Sequence, residues 1–104
     1  MTDTLTAQEL ERELAAHPGW RHIGDTLVRE MTFRDFDDAM RFFATVAQEA
    51  VDYGRRPDMC IAGTNRVRLS ISNEHHAGLT AAELRLAKRL DAVLDTDHPD
   101  AISH

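Results

Sequence analysis

The chain has one cysteine, Cys60, and too few basic residues to balance its acids. A lone cysteine excludes an internal disulfide, and the N-terminus carries no charged-then-apolar leader, so the expected setting is reduced and cytoplasmic. No apolar run approaches the roughly 20 residues that a membrane helix requires. Twelve Lys and Arg stand against 18 Asp and Glu, for a formal net charge of −6. That balance repels phosphate backbones and anionic lipid, which disfavours nucleic acid and membranes as partners. A metal site is not expected either: the neighbours His75 and His76 point apart on extended chain, and no second ligand pair stands at a recognised spacing. Repeats, linkers and low-complexity stretches are also missing.

What remains is 104 residues, enough to bury roughly two-thirds of the surface an unfolded chain exposes. Residues 1–94 read as one domain and 95–104, DTDHPDAISH, as a flexible C-terminal tail with too few apolar residues to pack. Thr6-Ala7-Gln8-Glu9 has capping-box spacing, flanked by Leu5 and Leu10 as a hydrophobic staple, and predicts a helix from Ala7 that His17-Pro18-Gly19 stops. Trp20 to Ile23 and Thr26 to Phe33 read as strands joined by a Gly24-Asp25 turn. Leu27, Met31 and Phe33 share one face of the second strand, and Arg29 breaks that face's pattern. Asp35 caps the next helix, where Phe36, Ala39, Met40, Phe43, Val46, Ala47 and Ala50 recur at helical spacing. The stripe is read as the face of a core helix rather than a ligand box, with Phe42 lying off it.

The densest cluster of candidate site residues lies between Tyr53 and Leu79. Arg55, Arg56, Pro57 and Asp58 make a charged corner. The run Met59 to Ala62, the turn Gly63-Thr64-Asn65 and the alternating segment Arg66 to Ser72 read as a second hairpin. In its last strand Val67, Leu69 and Ile71 point one way and Arg66, Arg68, Ser70 and Ser72 the other. Asn73, Glu74, His75 and His76 follow. A second capping box, Thr80 to Glu83 with Leu79 and Leu84 as its staple, then opens the last helix. That helix buries Leu84, Ala87, Leu90, Val93 and Leu94 and turns Arg85, Lys88, Arg89 and Asp91 to solvent. Hairpins separated by helices predict an α+β two-layer sandwich, a four-stranded antiparallel sheet with three helices on one face in the order αββαββα.

Three stretches together carry a resemblance: Pro18-Gly19-Trp20, Phe33 to Phe43, and Asn65-Arg66-Val67-Arg68-Leu69 running on to Ala77-Gly78-Leu79-Thr80. From Leu5 to about Leu94 the chain resembles the pterin-4a-carbinolamine dehydratase family. The resemblance implies the same sheet-and-helix fold, a homodimer or tetramer, and dehydration of a 4a-hydroxytetrahydropterin without metal or cofactor. The family's motif is a His-His-Pro corner preceded by an acidic residue, an aromatic in the next strand, a third histidine before the Ala-Gly-Leu turn, and then an aspartate. Here Val51 stands for the acidic residue, Arg55-Arg56-Pro57 for His-His-Pro, Thr64 near the aromatic and Glu74 for the third histidine. Pro57 remains, and Glu83 replaces the aspartate.

Arginine cannot accept a proton, because its pKa lies above about 12 and it carries no free acceptor. No catalytic residue is therefore assigned. Arg55, Arg56, Pro57, Asp58, Asn73, Glu74 and His75 are candidates for a vestigial pocket or a partner-binding surface. Paired arginines suit a carboxylate or phosphate; the plainer reading is a solvated corner balanced by Asp52 and Asp58. Cys60 is expected to be a small core residue.

Loss of the histidines favours a catalytically inactive, protein-binding module. The family's precedents are a dimerisation cofactor for a homeodomain transcription factor, and dehydratase-like Rubisco assembly factors encoded with α-carboxysomes. The latter lack the dehydratase motif, which makes Rubisco subunits the first partner to test. The alternative is an active dehydratase with rearranged acid-base groups, Glu74 or His75 serving beside a pterin held near Arg55 and Arg56.

Overall fold

The computed structural model describes residues 4–55, 57–73 and 78–104. Helix α1 (Ala7–Ala15) starts at the Thr6 capping box, with the Glu9 carboxylate accepting the Thr6 N–H at 2.9 Å. The first hairpin pairs β1 (Trp20–Ile23) with β2 (Thr26–Thr32). Just past β2, Phe33 is tied to Asn65 by two bonds: the Phe33 N–H donates to the Asn65 carbonyl at 2.8 Å and Asn65 Nδ2 donates to the Phe33 carbonyl at 2.7 Å. Helix α2 (Phe36–Tyr53) is capped by Asp35, whose carboxylate accepts the Asp38 N–H at 2.8 Å. It ends at Gly54, left-handed at φ 66°, where a side chain would be strained. The second hairpin pairs β3 (Asp58–Ala62) with β4 (Arg66–Ser72), and α3 (Ala81–Asp97) follows its own capping box.

The strands form one antiparallel sheet in the order β1-β2-β4-β3, with a short β5 (Ile102–Ser103) also pairing with β2. The α+β architecture and the order αββαββα are as the sequence predicts, with β5 added at the end. Leu27, Met31, Val67, Leu69 and Ile71 from the inner sheet face pack with Leu10, Phe42, Val46, Leu86 and Leu90 from the helices. On β4 the alternation holds: Val67, Leu69 and Ile71 are buried while Arg66, Arg68 and Ser72 are exposed.

Four expectations need correction. On α2, Phe42 is wholly buried while Phe36 is 49% and Met40 43% exposed, so the inward face is rotated from the predicted stripe towards Asp38, Ala39, Phe42 and Val46. Cys60 is exposed on the outer sheet face, opposite Arg68. Asp91 is buried rather than solvated. Residues 95–104 are not frayed: α3 runs to Asp97, and His98 is buried edge-on against Phe33 and Phe42, its Nδ1 3.0 Å from Asp38 Oδ1. β1 covers Thr26 to Arg29 of β2, and β5 covers Met31 and Thr32. The tail thus completes pairing along that edge, which a run of polar residues did not announce.

Candidate functional site

Three element ends converge where the sequence places the charged corner. Gly54 turns the chain out of α2, and the Arg55 N–H returns to the Ala50 carbonyl at 3.0 Å. From there the Arg55 side chain crosses to the start of α3, its Nε donating to Glu83 Oε2 at 2.9 Å while Nη1 donates to the Gly54 carbonyl at 3.0 Å. Asn73, just past β4, donates from Nδ2 to Glu83 Oε1 at 3.3 Å. The same Oε1 accepts the Thr80 N–H at 2.7 Å and the Thr80 hydroxyl at 2.9 Å.

Glu83 is therefore the centre of the cluster, fully buried and serving both the α3 cap and the Arg55 ion pair. Burial pushes its carboxyl up, but the donors of Thr80, Arg55 and Asn73 outweigh that and hold it below the usual carboxylate range. It stays charged and occupied at neutral pH, which suits a structural anion and not a proton donor.

Beside this pair, Val51 and Pro57 line a hollow of about 480 Å³ with Ala47, Ala50, Gly54 and Met59. Among the described residues, no side chain in that lining titrates. Asp58 opens β3 in an exposed position, and Asp52 accepts from Gln48 at 3.1 Å, so the partner of Arg55 is Glu83 rather than Asp52 or Asp58. Thr64 lies in the β3–β4 turn, a strand's length from Arg55. Arg56, Glu74 and His75 lie outside the described residues. Among the described residues no group of three or more His, Cys, Asp and Glu could hold a metal.

Sequence reasoning missed a second polar cluster. Asp91 Oδ1 accepts from Trp20 Nε1 at 2.7 Å and from Arg29 Nη1, and its Oδ2 lies 2.7 Å from His17 Nδ1. The available signal was Arg29 itself, a cation on the apolar face of a strand, which requires a buried counter-charge.

A single antiparallel sheet backed by three helices, with an ion pair where two loops meet the last helix, defines a two-layer α+β class of protein. The model of the pterin 4 alpha carbinolamine dehydratase family matches residues 3–93, and the chain belongs to that family. A relative from Rhodospirillum rubrum, provisionally named a pterin-4-alpha-carbinolamine dehydratase, is 38% identical over 96 residues, covering 90% of this chain and 99% of its own. One from Thermosynechococcus vestitus, named likewise, is 33% identical over 88 residues, 85% of this chain and 92% of its own. Among solved structures, the transcriptional coactivator/pterin dehydratase from Brucella melitensis superposes with a TM-score of 0.80 at 26% identity, over 88% of this chain and 98% of that one. A pterin dehydratase-like protein described as a RuBisCO assembly factor in the alpha-carboxysome gives 0.59 at 21% identity, over 71% and 84%. That last likeness is one of fold alone.

Proposed function

We propose that this protein is a catalytically inactive member of its family, a cytoplasmic protein-binding assembly factor or chaperone acting as a homodimer or tetramer, with Rubisco subunits as the first candidate partner. The observation that carries this reading is the Arg55–Glu83 pair. At a position where the family has a histidine, a guanidinium is bound to a buried carboxylate, and neither group exchanges protons near neutral pH. The adjoining hollow, lined by Val51 and Pro57, offers shape and apolar surface, and among the described residues its lining has no acid or base. Phe36, Met40, Val51 and Tyr53 leave α2 with exposed apolar area of the kind interfaces use. Rubisco is placed first because the dehydratase-like assembly factors of the resemblance also lack the histidine motif.

The test compares 4a-carbinolamine dehydration by the purified protein with buffer and with a His-His-Pro family member, alongside Rubisco co-expression. The reading requires a buffer-level rate and more active Rubisco in the presence of the chain. Unchanged Rubisco yield would remove that partner while leaving the inactive-module reading in place. The names of the 38% and 33% identical relatives favour a second reading, an active dehydratase using Glu74 or His75. A rate clearly above buffer, abolished in Glu74→Ala or His75→Ala, would establish it.

A further inference from the structure

Packing does not account for Arg29. It sits on the inner face of β2 between Leu27 and Met31, with its side chain only 13% exposed. Its Nη1 donates to Asp91, its Nη2 donates to Ser103 Oγ at 2.7 Å, and its buried Nε has no hydrogen-bond partner among the described residues. These two bonds leave at least one N–H on every guanidinium nitrogen unengaged among the described residues. Asp91 is already shared among three side chains, Oδ1 with Trp20 and Arg29 and Oδ2 with His17. The guanidinium is pressed under Gly19, where a Cβ would stand 2.5 Å from Arg29 Cζ, so a side chain at that position would displace it. It forms one wall of a cleft of about 600 Å³ between the Pro18-Gly19 turn, the C-terminal half of α3 and the end of β5.

We propose that this cleft is an oxyanion site, holding the carboxylate or phosphate group of a small molecule between Arg29, Lys88 and the Ser103 hydroxyl. Ser103 Oγ accepts from Arg29, which leaves its own O–H free to donate. Lys88 Nζ lies 2.8 Å from Glu13 Oε2 in a half-exposed pair of the kind worth little in water, so a ligand exchanges for it at small cost. His17 turns Nδ1 to Asp91, and its other ring nitrogen has no partner among the described residues. An anion is favoured over a cation because the buried wall has N–H donors to spare, while its carboxylate is already shared among three side chains. A cation would meet Asp95, which is exposed. The site is separate from Arg55 and Glu83, since Asp91 lies about two turns, roughly 12 Å, further along α3. It does not depend on the function proposed above.

The experiment is an NMR titration of the full chain with inorganic phosphate, and separately with acetate, against chloride at matched ionic strength and pH. The signals followed are Arg29 Nε–H and Trp20 Nε1–H. The expected result is saturable displacement of both by at least one oxyanion and not by chloride, with Lys88→Gln and Ser103→Ala each weakening it by about tenfold, the size of one charge-assisted hydrogen bond. Both positions are at the protein surface, and an unchanged Trp20 signal in the free variants verifies the fold. Saturation by acetate alone assigns a carboxylate ligand, and by phosphate alone a phosphate ligand. No saturable displacement beyond chloride overturns the proposal, and so does a displacement that both variants leave intact.

Discussion

Replacing Arg55 by alanine strips a cation from a carboxylate that is wholly buried. Removing one partner of a buried ion pair costs about 3–5 kcal/mol. The Arg55 side chain is 32% exposed and Thr80 and Asn73 still donate to Glu83, so solvent screening brings the expected loss to about 2–3 kcal/mol. For a domain near this length that lowers Tm by roughly 10–20 °C. The loss should also depend on pH. Glu83 is held below the usual carboxylate range in the folded state, so its charge contributes stability that is present above the unfolded pKa and lost as pH falls through the folded one. Arg55→Ala removes one of the influences lowering it. The Tm gap between parent and variant is therefore full at neutral pH and narrows below about pH 4. Thermal unfolding of both proteins across that range is the assay. A neutral-pH gap under about 2 °C, far below the 4–8 °C expected per kcal/mol, would refute the assignment of Arg55 as the partner of a buried anion.

Two further outcomes test the packing. Phe42→Ala, at a fully buried position, should cost about 3–5 kcal/mol. Phe36→Ala, at a half-exposed one, should cost under about 1 kcal/mol, and denaturant melts showing equal losses would mean that the inward face of α2 is wrong. His98→Ala removes one of the two side-chain partners of Asp38, leaving Arg41, together with the edge contacts with Phe33 and Phe42. It should cost about 2–3 kcal/mol and speed amide exchange at the β2 edge that β5 covers. Unaltered exchange there would show that His98 does not anchor the tail.

The features that were legible in the sequence depend on residues a few positions apart. Thr6 and Glu9, or Thr80 and Glu83, cap a helix whatever surrounds it, because the donors they satisfy belong to the same turn. The alternation of Arg66 to Ser72 assigns its two faces for the same reason. From these local rules the element order and α+β class follow, and the missing histidines can be read directly from the residues.

Tertiary structure decided everything that depended on which distant groups meet. A band of Phe and Met on α2 is apolar on more than one side, and the approach of the sheet selected Phe42 over Phe36 and Met40. Glu83 reads as a cap until the turn at Gly54 brings Arg55 to it from another element. Asp91 and Arg29 look like surface charge and a broken pattern until α3 crosses β2 and buries them against each other. His98 looks like part of a loose tail until Asp38, Phe33 and Phe42 enclose it. A charge declares its partner only when chain closure sets the distance and the dielectric between them, and neither quantity is written in the local order of residues.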